Sequence, residues 1–399
     1  MIRRVWPLAA AAIALGVDAY VLAAVLPSIA DSLATTVAAV GLGVTAFTAA
    51  YALAGPLLSG MLIRGSTAKA LLIALGVFNL GNLITVVSPG AEVFLASRVI
   101  AGAGAGVLTA VATAAAAAMV ADHERGRAMA MVTFGLSTGT VAGVPVGMVV
   151  RNQLNWRWTM GLVVAVGLLS MGALAVKART IPSLPVSRGP AFAALRSSKT
   201  LIGVAAAFLL GVASLGLYTY LLPMAEARGL QDWGFALVWA WGIGGVTGSA
   251  LVGRHLDASG PRTLLIALPA VLLGSFAAFW VFTAPVVWLV AAALWGAAGW
   301  ASVPTLQQAL TGDRPGQAVP IVAFQMAAMY LGSAAGAAAG SSLLANSADP
   351  GGLSAWALVP AALALLLTGW LSVVVLRVHT RRRITRLAYD AADQARSGH

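Results

Sequence analysis

GTVAGVPVG (139–147) and GSAAGAAAG (332–340) decide how this chain is organised. Each has glycine at its first, fifth and ninth positions, and each lies in a long apolar run. The second follows the first at an offset of 193 residues, and the same offset carries Gly55 and Gly60 onto Gly248 and Gly253. Single matches carry little weight in a chain with 44 glycines. Five at one offset, at corresponding places, mark two related halves. Glycine at every fourth residue lines one helix face with small groups, so that another helix can approach closely. Pro145 also removes a backbone hydrogen bond and bends its helix. Gly139, Gly143, Pro145 and Gly147 therefore predict a bent, smooth seam between the halves along which they rock.

The composition says which solvent these runs occupy. Of 399 residues, 60% are hydrophobic and only 9% charged, and the mean hydropathy is +0.91. A soluble domain is about one quarter charged. A spanning helix needs about 20 apolar residues. Cuts at charged clusters and Gly/Pro breaks give twelve spans: 5–27, 38–62, 70–88, 93–119, 128–150, 159–176, 201–223, 233–253, 263–282, 286–305, 318–344 and 353–376. Arg3 and Arg4 before the first run resemble a signal peptide, but no clear cleavage site follows, so this run reads as the first span.

Lys and Arg concentrate on the cytoplasmic side of a membrane. With the N-terminus inside, 20 of the 24 basic residues fall in cytoplasmic segments. Only Arg151, Arg157 and Arg228 lie outside, and Arg98 falls within a span. Both termini are therefore expected in the cytoplasm of a multi-pass protein of the cell membrane. The stretch KARTIPSLPVSRGPAFAALRSSKT (177–200) has three prolines, five basic residues and no acid. It reads as a linker between a six-helix half at 1–176 and another at 201–377, with a basic tail at 378–399. The expected fold is all-α, with twelve transmembrane helices in two pseudo-symmetric six-helix bundles. Such paired halves suit a transporter whose substrate binds between them near the midplane.

Several function classes are excluded. The chain has no cysteine, so disulfides, thiolate metal sites and cysteine nucleophiles are absent. His123, His255 and His379 lie in short charged segments and His399 ends the sequence, so none serves a buried dyad. No metal site, cofactor or membrane-embedded enzyme is implied. The net charge of +12 is spread between apolar runs rather than gathered on one soluble face, which argues against nucleic acid. RVIAGAGAG (98–106) lacks the strand and spacing of a dinucleotide fingerprint, and no P-loop occurs. Small-residue helix packing explains those glycines.

Asp18 is the one acid deep in a span, where a carboxylate costs roughly 2.5–3.5 kcal/mol. Arg98 is the one basic residue at similar depth. Asp18 lies nine residues before Pro27, and Arg98 lies near the start of a helix that enters from the same side. At about 1.5 Å per residue both fall in the outer half of the membrane and can meet. A static ion pair and a proton-exchanging carboxylate both fit. Burial raises a carboxyl pKa and an approaching arginine lowers it, so alternation between those surroundings couples protons to a substrate.

GRHLDASGPR (253–262) reads as a tight turn at Gly260-Pro261, or as a latch. In the latch, Asp257 and Arg262 bond to helix ends of the other half, with Gly253 and Gly260 shaping the loop. Tyr20, Tyr51, Phe134, Tyr218, Trp239, Trp295 and Gln325 are candidates for a cavity that takes flat lipophilic molecules. Most scattered aromatics serve packing or interface anchoring.

These residues resemble the major facilitator superfamily, and within it the twelve-span drug:proton antiporters. GVDAYVLAAVLPSIADSL (16–33) is similar to the family's first helix, and RVIAGAGAG to its fourth-helix motif, whose arginine is implicated in proton coupling. GLSTGTVAGVPVG (135–147) followed by NWRW (155–158) is similar to the antiporter motif, and GRHLDASGPR to the loop motif Gly-x-x-x-Asp-x-x-Gly-x-Arg. The resemblance implies a proton-coupled exporter of a small lipophilic molecule, working as a monomer in lipid with no cofactor. An importer or sugar exchanger of the same fold is the alternative, and would need more polar cavity groups than Asn79, Asn82 and Gln325. The loop after the second span departs from the motif, with Arg64 for the acid and Thr67 for the glycine. That departure alone would support a sensor that has lost transport. Val144 also separates Gly143 from Pro145, a looser form of the fifth-helix motif.

Overall fold

The computed structural model describes residues 1–153, 155–185, 191–346 and 349–397, without side chains at 20, 23–24, 27, 38, 144–153 and 377–397. The first half runs α1 (Ile2–Ser32), α2 (Val37–Leu62), α3 (Thr67–Val87), α4 (Ala91–Ala118), α5 (Arg125–Gln153) and α6 (Trp156–Lys177). In the second half, α7 (Ser198–Leu210) passes into a π-helical turn at Gly211–Gly216, and the span ends in short α8 (Leu221–Ala227). Then come α9 (Gly234–Ser259), α10 (Leu264–Val281), α11 (Pro285–Thr311), α12 (Ala318–Ala345) and α13 (Leu353–Ser397). No described residue is in a strand, as hydrocarbon requires of a chain that must satisfy its own backbone. Ten helices are long and apolar enough to cross a membrane over their described residues. α1 and α5 are the remaining long helices.

Local chemistry places the boundaries. Thr36, Ser66 and Asn155 cap α2, α3 and α6, accepting from the backbone N–H groups of Ala39, Lys69 and Arg157. Pro285 opens α11, where its missing N–H costs nothing. Only residues 282–284 separate α10 from α11, so the uncharged run from Thr263 to Gly312 does hold two helices. One boundary differs from expectation: α9 continues to Ser259, so Asp257 lies in its last turn. The reversal begins at Gly260, whose φ of 72° is open to glycine.

Glycine sets how closely the helices approach. A Cβ added at Gly135 or Gly139 would strike the carbonyl oxygens of Ala9 and Ile13, and one at Gly143 would meet Val17. α5 thus lies directly on α1. In the second half, Gly332 and Gly336 meet the carbonyls of Phe208 and Val212 in the same way, which sets α12 on the seventh span. The correspondence is internal symmetry seen as contact. It also corrects the expected seam: these glycines join helices within each half, not the two halves to each other. Pro145 and Gly147 lie outside the described side chains. Across the halves, α5 packs on α9 and α11, while α12 packs on α2 and α4.

The same contacts align α1 with the seventh span. Ile13 corresponds to Phe208 and Val17 to Val212, an offset of 195 residues. Asp18 therefore corresponds to Ala213, inside the π-helical turn.

Gly106→Val should be severely destabilising, because its Cβ would meet the backbone of Tyr51. Overpacking of about 3 kcal/mol is expected. Gly76→Val, with open space around it, should be tolerated. Thermal melting of the detergent-solubilised variants checks the contrast.

Candidate functional site

Asp18 and Arg98 meet. Arg98 donates from Nη1 to Asp18 Oδ1 at 3.1 Å and from Nη2 to Oδ2 at 3.0 Å, a two-pronged ion pair between α1 and α4. The side chains are 0% and 1% exposed. Nη1 also donates to Asn82 Oδ1 of α3 at 2.9 Å, and the guanidinium lies 4.7 Å from the Phe47 ring centroid of α2. Four helices thus converge on one cation. Gly43 makes room for it, since a Cβ there would press on Phe94 and Arg98. The planar fork of arginine suits this double recognition, and its face suits an aromatic ring. Arg98 Nε is buried without a partner. In sequence Asn82 counts only among the few polar cavity groups, because asparagine carries no charge to mark it as a partner of Arg98. Its amide also donates to Phe78 O of its own helix, which fixes its orientation.

One face of the bundle, the terminal face, carries the N-terminus and the loops 63–66, 119–124 and 312–317. There the halves are latched. Asp257 Oδ1 accepts from the backbone N–H of Gly126 at 2.8 Å and of Arg127 at 3.3 Å, and Oδ2 accepts from Arg127 Nε at 2.6 Å. A carboxylate is well placed at these N–H groups, at the start of α5. Gly253 lies against Arg127 and Ala130, and Ser137 shares a 2.8 Å hydrogen bond with Ser249 farther in. No bond from the Arg262 guanidinium to the other half accompanies the latch among the described residues; the Arg262 carbonyl accepts from Ser372, and the residue lines a cleft with Asp122 and Arg125. The equivalent loop of the first half holds a different bond. Thr67 Oγ1 accepts from Leu184 N of the linker at 2.8 Å, and linker Phe192 packs on Phe324 of α12 at 5.2 Å. The threonine that breaks the loop motif therefore anchors the linker.

Two small cavities lie deeper. One, of about 10 Å³, lies between the halves, with Leu15, Thr109 and Thr133 on one side and Gln307 and Met326 on the other. The second, of about 30 Å³, lies inside the second half against the π-helical turn. Of the expected cavity residues, Gln325 lines this one and accepts from Gln307 Nε2 at 3.3 Å. Tyr218 stacks on Trp241 at 4.0 Å and Trp295 meets Trp241 edge-on, so both lie behind the wall. Trp241 and Trp300, which do line it, are not among the expected cavity residues. Tyr51 meets Tyr330 at 4.6 Å between α2 and α12 and lines neither cavity. Phe134 also lines neither, and Trp239 pairs with the exposed Phe235. The Tyr20 side chain lies outside the described residues.

The latch makes a prediction. Asp257→Asn should favour opening at the terminal face. The chain has no native cysteine, so Ala130→Cys, buried beneath the latch, reports opening through maleimide labelling. The labelling rate should rise about tenfold, the response to about 1.4 kcal/mol. An unchanged rate would show that the bond does not hold the face shut.

The family model described as Major Facilitator Superfamily matches residues 8–340. An uncharacterized MFS-type transporter of Bacillus subtilis (strain 168), YbcL, is 29% identical over 86% of this chain and 89% of its own. The chloramphenicol resistance protein of Streptomyces lividans is 28% identical over 82% of this chain and 86% of its own. Among solved structures, the transporter FucP in its outward conformation superposes with a TM-score of 0.73 at 15% identity, covering 92% of this chain and 97% of that one. That likeness concerns the fold alone.

Proposed function

This chain belongs to the Major Facilitator Superfamily, and from that premise we propose that it exports a small lipophilic molecule in exchange for protons. The single observation that carries this reading is the fully buried Asp18–Arg98 pair, held in a helix bundle with no other buried carboxylate among the described residues. A proton that reaches Asp18 abolishes the ion pair. Arg98 then keeps only Asn82 and the Phe47 face, and the link between α1 and α4 weakens. Removing one partner of a buried pair costs about 3–5 kcal/mol, enough to change which packing of the helices is preferred. Asp18 is the proton site and Arg98 its switchable counter-ion.

The moving units are residues 1–176 and 201–377, joined by the linker at 177–200. The bias of basic residues puts the terminal face and the basic tail at 378–399 in the cytoplasm, in the cell membrane. The Asp257 latch then closes the cytoplasmic side, and Asp18 exchanges its proton from the outer half. The protein works as a monomer. Export is favoured over import by the apolar surroundings of the cavities and by the relative that confers chloramphenicol resistance.

Expression in a pump-deficient bacterial host tests the reading, with accumulation measured for an antibiotic panel that begins with chloramphenicol. The wild type should lower accumulation, and an uncoupler should abolish the effect. Asp18→Asn should insert at wild-type levels yet export nothing against a gradient. Full gradient-driven export by that variant would overturn the proton role, and accumulation that rises on expression would favour an importer.

A further inference from the structure

The two seams between the halves correspond by sequence but differ in chemistry. An offset of 193 residues carries the first residue of α5, Arg125, onto the first residue of α12, Ala318. The same offset carries Gly55 and Gly60 of α2 onto Gly248 and Gly253 of α9. The α2–α12 seam is therefore the counterpart of the α5–α9 seam, where Asp257 accepts from the backbone N–H groups of Gly126 and Arg127. At the matching positions the counterpart has Arg64, Val319 and Pro320. Arg64 would bring a cation to a helix start, where the dipole favours an anion. Pro320 has no N–H to donate. The carboxylate latch cannot form a second time.

The linker occupies that place instead. Leu184 N donates to Thr67 Oγ1 at 2.8 Å, a buried bond to the first residue of α3. The Leu184 side chain is buried as well. Farther along, the Phe192 ring lies 5.2 Å from that of Phe324 on α12. Phe192 belongs to a short 3₁₀ segment, Ala191–Arg196, which packs on both α2 and α12 and buries its Ala194. One stretch of chain is thus bonded to the first half, packed on the second, and laid against both helices of the seam. A connection that only joined the halves would run solvated over the surface and would need no buried anchors.

We infer that the linker is a second lock on the terminal face: its anchors at Thr67 and Phe324 hold α2 against α12 and replace the carboxylate latch that this seam lacks. The inference rests on the reading that the halves move apart at this face. The face is then closed by unlike chemistry on its two sides. One side has a charge-assisted bond to a helix start. The other has a neutral hydrogen bond and an aromatic contact, carried by a covalent strap.

Maleimide labelling of two buried cysteines, placed singly in the cysteine-free full-length chain in detergent, tests the inference. Ala323→Cys, 3% exposed and next to Gly55 across the seam, reports the strapped side. Ala130→Cys reports the latched side. Thr67→Val removes the acceptor and keeps the shape, and Phe192→Ala removes the ring. Labelling should rise about tenfold in the first and about fivefold in the second, at both cysteines, because the halves part as units. Thr67→Ser keeps the acceptor and should label as the wild type does. Thr67→Val combined with Asp257→Asn should multiply two tenfold increases to about a hundredfold, as separate locks on one equilibrium require. A rise at Ala323→Cys alone would mean local loosening and would overturn the proposal. So would wild-type labelling in both linker variants. In that case Asp257→Asn separates the causes. If it still speeds labelling, the strap alone has failed; if no variant changes the rate, the reading that the halves part at this face fails with it.

Discussion

A carboxylate and a guanidinium can lie together in a membrane only if each satisfies the other. Asp18 and Arg98 do so with two parallel hydrogen bonds, and Asn82 and Phe47 take up part of what remains of the arginine. The arrangement constrains the first half. α1, α2, α3 and α4 must all approach one point, and the glycines of α4 permit it: Gly102 and Gly106 lie against the backbone of α2, and Gly81 of α3 lies against Ala101. Close packing and the buried charge support each other. Without the glycines the four helices could not meet at the cation, and without the pair α4 would carry an uncompensated charge in hydrocarbon.

The second half uses the same frame for another purpose. Its α12 lies on the seventh span as α5 lies on α1, through glycines in corresponding places. Where Asp18 stands in the first half, the second has Ala213 within a π-helical turn. Such turns place an extra residue in a helix and are frequent at functional sites. Here the turn brings Ser214 to Trp295 and to the edge of the aromatic cavity. One half thus holds the charge and the other the apolar volume, and the two touch along α5–α9 and α2–α12. In the proposed mechanism, protonation in one half is felt as a change of packing at the surface facing the other.

Much was legible in the sequence, for physical reasons. Hydrocarbon permits few backbone solutions, so twelve apolar runs translate directly into helices. The small-residue repeats had to be contact lines, because nothing else explains glycine at every fourth position of a membrane helix. Asp18 and Arg98 stood out because buried charge is expensive, and their depths along antiparallel spans already allowed contact. The seam was misassigned because a glycine stripe shows that some helix comes close but not which one. The GRHLDASGPR stretch left a turn and a latch both open, since local sequence cannot decide whether Asp257 reaches a helix start in the other half, nor that α9 extends to meet it.

Sequence by itself determined the spans, the twofold repeat and the identity of the buried pair, because each follows from local hydropathy, spacing or charge. Tertiary structure alone decided that Asn82 completes the charge site, that Thr67 anchors the linker, and that Trp241 and Trp300 line one cavity. Those facts join residues far apart in the chain. They turn on whether a polar atom finds its partner, which is a property of the packed molecule and not of any single helix.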